Sequence, residues 1–273
     1  MNISQYIPVF IKTAANAGKE ILRIYNEDDF GVRLKSDDSP LTRADVASHG
    51  VIKKALNNKF PSLPLLSEEG KDIPFEERRK WQMFVCIDPL DGTKEFIKRN
   101  GEFTINIALI HDHRPVIGVI YVPVKDTLYL GGTDIGSFRI CGFYNLYSEL
   151  NSWPFSHNHM VSLPSANRNR AFTIVGSRSH MNEETQNYIN ELQRNYRKIE
   201  MISAGSSLKF CLVAEGSADV YPRFAPTMEW DTAAGQAILE GAGGSVHYTD
   251  SELPLEYNKP NLINPSFIAT LNY

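Results

Sequence analysis

The chain has 273 residues, with 42% hydrophobic and 22% charged content, a formal net charge of -4 and a pI near 6.0. That length leaves room for a sizeable core in one or two packed domains, and the mild acidity excludes a surface built to wrap a nucleic acid polymer. Cys86, Cys141 and Cys211 form no close pair, so neither a disulfide framework nor a CxxC-type zinc site is suggested, and a reducing cytoplasm is the expected compartment.

The opening stretch "MNISQYIPVFIKTAANAGKEILRIY" carries Ile3, Ile7, Phe10, Ile11, Ala14, Gly18, Ile21, Leu22 and Tyr25 at helical spacing, which predicts a helix with one buried face. Lys12, Lys19 and Glu20 interrupt it, so it has the form neither of a membrane span nor of a signal peptide. A short extended piece and a polar loop follow. Thr42 then stands where an N-cap would start a second helix running to about Asn58, with Ala47, Val51, Ile52, Ala55 and Leu56 inward.

"SLPLLSEEG" is expected to be a short strand ending in two glutamates, and "WQMFVCIDPLDGT" a buried strand. "FTINIALIHDHRPVIGVIYVPVKDTLYLGGTD" supplies three β-rich runs in a meander. Residues 141–169 are irregular, rich in Asn, Ser, Pro and His, and are expected to form a boundary or a long surface loop. Beyond them strand-like segments ("AFTIVGS", "IEMISAG", "ADVYPR", "GSVHY", "SFIAT") alternate with helical ones ("NEETQNYINELQR", "SSLKFCLVAEG", "EWDTAAGQAILEGAG"). The class is therefore α+β in stacked layers, divided into an N-terminal lobe over 1–140 and a C-terminal lobe over 141–273.

Six acidic residues stand out: Asp45 in the first turn of the second helix, and Glu68, Glu69, Asp88, Asp91 and Asp231 at ends of strands or starts of helices. Loops at element ends build sites on a rigid frame. Pro89 is expected to fix a turn that aims Asp88, Asp91 and the Leu90 carbonyl at one point, an all-oxygen set suited to a hard cation such as Mg2+. Taken singly, each piece also has an ordinary account: a capped turn for "DPLDGT", a solvated charge pair for "SEE", a helix-dipole partner for Asp231.

Taken in order, "LTRAD", "SEE", "DPLDGTKEF" and "EWDTAAG" resemble the magnesium-dependent, lithium-sensitive phosphatases of the inositol monophosphatase superfamily, over most of the chain. "DGTKEFIKRNGEFTINIALI" is similar to the CysQ-type 3'(2'),5'-bisphosphate nucleotidases. The resemblance implies a layered αβαβα sandwich of the sugar-phosphatase type. It implies two or three Mg2+ ions held by Glu68, Asp88, Asp91, Asp231 and the Leu90 carbonyl, with Glu69 supporting them from behind. It implies that Asp45 and Thr93 form a hydrogen-bonded pair acting on the attacking water, and that Gly92 and Thr93 offer backbone donors to phosphate.

For the substrate, the resemblance matches His180 in "GSRSH" to a nucleotide contact, Ser206 and Lys209 in "GSSLKF" to phosphate and ribose contacts, and Arg223 in "VYPRF" to another anion contact. The expected reaction is hydrolysis of the 3'-phosphate of adenosine 3',5'-bisphosphate to AMP, in recycling a by-product of sulfur assimilation, with the sulfated form as a further candidate. Peripheral attachment to the inner face of a membrane stays open. So do two alternatives: an inositol monophosphatase or sugar-bisphosphate phosphatase using the same metals, and a catalytically silent nucleotide sensor. Lys94, Lys98 and Arg99 either draw a polyanion into the cleft or line a solvated helix face.

Overall fold

Along three consecutive strands, alternate residues enter two different cores. Val85, Ile87, Ile105, Ile107, Ile117 and Val119 join one buried cluster, while their neighbours Phe84, Cys86, Ala108, Ile110, Ile120 and Val122 join a second. Side chains on a strand point to opposite faces in turn, so this sheet is covered on both sides. The computed structural model describes residues 3–35, 38–150, 159–166, 169–176 and 182–271, and within them five layers follow from that division.

The first layer is a helix pair. A short 3-10 turn leads into α1 (Tyr6–Tyr25), and α2 (Arg43–Lys59) packs beside it after a two-stranded ribbon, β1 (Arg33–Leu34) with β2 (Pro40–Leu41). Phe10, Ile11, Ala14 and Ile21 of α1 are fully buried. At Gly18 a side chain would begin 2.3 Å from the Tyr121 ring, so the missing Cβ lets the helix lie directly on the sheet.

The second layer is a seven-stranded sheet: β3 (Leu65–Ser67), β4 (Met83–Asp91), β5 (Thr104–His111), β6 (Arg114–Val122), β7 (Thr127–Gly132), β8 (Gly136–Cys141) and β9 (Val161–Ser162), in that spatial order. All its pairings are antiparallel except β3 with β4. The short helices α3 (Phe75–Arg78) and α4 (Thr93–Ile97) flank β4.

The region expected to be irregular is in part helical: α5 spans Phe143–Leu150. Phe143 is fully buried with its ring 5.2 Å from that of Tyr121. The Phe143, Leu146 and Tyr147 spacing is a helical signal that the Asn, Ser, Pro and His downstream obscured. Helix α5 packs on the outer helix layer, against α1, while Val161 and Ser162 of the same segment form the edge strand β9.

The second half supplies the remaining layers. Its elements are β10 (Phe172–Gly176), α6 (Glu183–Asn195), β11 (Ile199–Ser203), α7 (Leu208–Glu215), β12 (Val220–Arg223), β13 (Thr227–Met228), α8 (Glu229–Gly241), β14 (Gly244–Tyr248), β15 (Ile263–Asn264) and β16 (Phe267–Leu271). A five-stranded sheet runs β11-β10-β12-β16-β14. Helices α7 and α8 lie between the two sheets, and α6 covers the outer face through Ile189 against Ile174, Val220 and Ile268. The order helices, sheet, helices, sheet, helix is the expected αβαβα sandwich. The small β13 and β15 ribbon is too short to show a period in the sequence.

Among the described residues no helix is long and apolar enough to cross a membrane.

Candidate active site

Strand pairing sets the first two carboxylates. β3 and β4 run parallel, with Ser67 opposite Ile87 and the Glu68 N-H donating to the Ile87 carbonyl at 3.3 Å. Glu68 and Asp88 therefore leave the sheet side by side. On the other edge of β4, Asp88 faces Asn106 and Asp91 faces Thr104, so three steps on β4 match two on β5. Residues three apart on a regular strand point to opposite faces; the one-residue bulge re-aims them. The expectation of a turn at Pro89 is corrected accordingly: β4 continues through Asp91, and the bulge aligns the two aspartates.

The third aspartate comes from the helix layer between the sheets. Asp231 is in the first turn of α8, and its Oδ2 accepts the Met228 N-H at 2.8 Å. One carboxylate oxygen each from Asp88, Asp91 and Asp231 fall within 4.8 Å of one another. Asp91 is fixed by the Ser207 N-H at 2.6 Å and more loosely by the Asn106 amide at 3.4 Å. The Ser207 hydroxyl in turn donates to the Asn106 carbonyl oxygen at 2.7 Å and meets Thr104 Oγ1 at 2.7 Å.

Such a grouping raises the carboxyl pKa values. Burial is the main cause for Asp88, followed by the charges of Glu68 and Asp91, and its pKa lies well above the usual range. Burial likewise raises Asp231, helped by Asp91. Asp91 rises to about 6 through burial, with Lys209 and the Ser207 N-H opposing. Bringing opposite charge among these groups relieves the repulsion. Carboxylate oxygens at this spacing fit a hard divalent cation.

Beside the cluster, Lys35 of the β1 to β2 connection donates to Glu68 at 2.7 Å and to Glu69 at 2.5 Å. Burial would lower its pKa, but the two glutamates outweigh it and the net direction is upward. Glu69 rises through burial, with Lys35 opposing. Lys35 was not singled out in the sequence, because nothing local marks a lysine that meets glutamates more than thirty residues away.

The expected Asp45 and Thr93 pair is present: Thr93 Oγ1 donates to Asp45 Oδ1 at 3.0 Å. Asp45 is the third residue of α2 and closes a capping box, its Oδ2 accepting the Thr42 N-H at 2.7 Å and the Thr42 hydroxyl. That oxygen is saturated, so Oδ1 is the one that faces Thr93. Burial raises the Asp45 pKa against these hydrogen bonds. Gly92, at φ +92°, caps α4 in the left-handed region that glycine tolerates. Phe96 anchors α4 by packing on Tyr25, Phe30 and Phe103 with ring centroids about 5 Å apart, so the phenylalanine of "KEF" holds Thr93 in place from the core.

A cavity of about 140 Å³ opens next to the aspartates, and its wall brings together Asp91, Asp231, Gly92, Ser206, Lys209 and Arg223. Four of the six residues expected to bind substrate, Gly92, Ser206, Lys209 and Arg223, thus line one cavity, and a fifth, Thr93, follows Gly92 in the chain as the first residue of α4. The sixth, His180, lies outside the described residues. Ser206 holds φ +44° and donates its hydroxyl to the Glu102 carbonyl at 2.9 Å. Lys209 is buried over the Tyr221 ring at 5.4 Å and donates to the carbonyls of Ser206 and, at 3.3 Å, Ala204. Burial lowers its pKa to about 8, with Asp91 opposing. Arg223 is held by the Ala225 and Pro226 carbonyls at 3.0 and 3.1 Å.

Arg99 serves another purpose than attracting a polyanion. Its guanidinium donates to the Tyr25 and Glu27 carbonyls, each at 2.6 Å, and lies 4.6 Å over the Phe30 ring, tying α4 to the end of α1. Glu95, a further wall residue of the cavity, stands inside "DPLDGTKEF", where nothing local marks it as a site residue.

An αβαβα sandwich with a carboxylate cluster at the bulged end of β4 has the architecture of the sugar-phosphatase type. The inositol monophosphatase family model matches residues 2–271, and the chain belongs to that family. It is 43% identical over 261 residues to the 3'(2'),5'-bisphosphate nucleotidase CysQ of Shigella flexneri, covering 94% of this chain and 96% of that protein. It is 33% identical over 256 residues to the CysQ of Haemophilus influenzae. The crystal structure of CysQ from Bacteroides thetaiotaomicron superposes with a TM-score of 0.87 at 46% identity, covering 99% of this chain and 98% of that one. SuhB of Bartonella henselae, 24% identical with a TM-score of 0.71, shares the fold. The family is metal-dependent, in keeping with the acidic cluster.

Proposed function

We propose that the protein is a 3'(2'),5'-bisphosphate nucleotidase that hydrolyses the 3'-phosphate of adenosine 3',5'-bisphosphate to AMP and phosphate, with Mg2+ as its metal. The observation that carries the assignment is the shared cavity: the aspartate cluster meets Ser206, Lys209 and Arg223 across a single space. A substrate with two phosphates needs both a cation-loaded site for the ester to be cleaved and a separate cationic grip for the other. The relatives named above support the same choice of substrate. The assignment takes the lobes to be residues 1–140 and 141–273, with the cleft between them.

Asp88, Asp91, Asp231, Glu68 and the Leu90 carbonyl would hold two or three ions, with Glu69 behind Glu68. When bound, they would neutralise the phosphate and make water more acidic. The chain does the rest. Thr93 Oγ1, its hydrogen given to Asp45 Oδ1, has lone pairs left to accept from the attacking water, so proton transfer runs from water to Thr93 and from Thr93 to Asp45. Burial makes Asp45 a stronger base than a surface aspartate. Gly92 and Thr93 receive the scissile phosphate, while Ser206, Lys209 and Arg223 orient the rest of the nucleotide.

The deciding experiment compares Mg2+-dependent phosphate release from adenosine 3',5'-bisphosphate, inositol 1-phosphate and fructose 1,6-bisphosphate by kcat/KM. A strong preference for the nucleotide is expected. Preference for either sugar phosphate would replace the substrate while keeping the metal chemistry, and release from none would indicate a nucleotide sensor.

A further inference from the structure

The wall of the substrate cavity holds a carboxylate that the assigned chemistry leaves unused. Glu95 is on α4 and lines the cavity together with Ser206, Lys209 and Arg223. The other acidic side chains there have backbone donors: Asp91 takes the Ser207 N-H and Asp231 the Met228 N-H. Lys209 and Arg223 donate to carbonyls. Among the described residues, no hydrogen bond or ion pair engages the Glu95 carboxylate.

Two glycines make room for it. A Cβ on Gly205 would stand 2.8 Å from Glu95 Cγ, and one on Gly92 would stand 3.4 Å from Glu95 Oε2. The carboxylate therefore lies over the residue that directly follows Asp91, next to the place assigned to the scissile phosphate, and against the loop that carries Ser206. A carboxylate is an acceptor that repels phosphate and takes a hydrogen bond from a hydroxyl; its charge already acts on Lys209, though no hydrogen bond joins the two. In a nucleoside 3'-phosphate the donor nearest the ester is the hydroxyl on the adjacent ring carbon. The exocyclic amine of adenine is many bonds further off.

We propose that Glu95 is a specificity-determining residue whose carboxylate accepts the ribose 2'-hydroxyl, so that the enzyme selects a ribonucleotide with a free hydroxyl beside the scissile phosphate. This rests on the nucleotidase assignment above. A hydrogen bond to a charged acceptor corresponds to a preference of about 10- to 100-fold.

The test measures kcat/KM for adenosine 3',5'-bisphosphate and its 2'-deoxy analogue with the wild type, Glu95→Gln and Glu95→Ala, with thermal melts to confirm folding. The wild type should prefer the ribose substrate about 10- to 100-fold. In Glu95→Ala the ratio should fall below about 3-fold, chiefly because the ribose substrate loses rate, and Glu95→Gln, which keeps a carbonyl acceptor, should lie between. The proposal is overturned if the wild type shows no preference, if the ratio persists in Glu95→Ala, or if that variant loses both substrates equally. Release from neither substrate by the wild type would instead remove the nucleotidase assignment, and this proposal with it.

Discussion

Changing Asp88 to Asn should remove most of the turnover and yet stabilise the metal-free protein. Asp88 is 2% exposed, and its carboxylate is within 4.8 Å of those of Asp91 and Asp231. At 4.8 Å and an effective dielectric constant of about 20, two full charges repel by about 3.5 kcal/mol. Proton uptake already relieves part of this, since the carboxyl groups are raised by burial and by each other. A net gain of about 1–3 kcal/mol remains for the neutral amide. At about 2–4 °C per kcal/mol for a chain of this size, the variant should melt several degrees higher in EDTA.

Millimolar Mg2+ should reverse that order, because ligand binding stabilises only the protein that keeps its site. The assay is thermal unfolding by circular dichroism at neutral pH, with EDTA and with Mg2+, alongside phosphate release. Activity should fall by about 100-fold or more. A variant that melts at or below the wild type in EDTA, or that turns over like it, would refute the claim that these carboxylates are grouped to share cations.

Thr93→Val should lower kcat by about 10²- to 10⁴-fold and cost about 1–3 kcal/mol, because Asp45 Oδ1 loses its donor; Thr93→Ser should restore most of the rate, and an inactive, fully folded Ser variant would argue against the proton path. For Lys209, burial sets the folded pKa at about 8, below the roughly 10.4 of an unfolded lysine. Between those values the unfolded chain holds more protons, so this group's destabilising contribution is full below pH of about 8 and is relieved as pH rises toward 10.4. Nucleotide binding should weaken over the same range, KM rising by at most about tenfold per pH unit above 8. Lys209→Arg, always charged, should remove that rise, and an unchanged KM profile in this variant would exclude Lys209 as the anion contact.

The acidic residues were legible because each is in a short contiguous motif at the end of an element, and because residue type alone shows what an aspartate can ligate. Thr42 was legible as a cap for the same local reason: its partner Asp45 is three residues away. The β4 bulge was not legible, since "DPLDGT" reads equally as a turn until β5 supplies a register. Helix α5 was missed because its aromatic spacing merges into a polar stretch. Arg99 could not be sorted into cleft or staple until α1 was seen to end beside it.

Sequence alone determined the layer class and the two main hydrophobic periods, and it marked out the acidic residues of the candidate site, because these depend on residue type and on neighbours within a few positions. Tertiary structure decided what those residues face. Glu68 meets Asp88 through parallel strand pairing, Asp231 arrives on a helix packed between sheets, and Lys35, Ser207 and Glu95 join through contacts that local spacing does not encode. The physical reason is that a carboxylate's function depends on the charges and donors within a few ångströms of it. Those distances are set by register and packing across the whole chain.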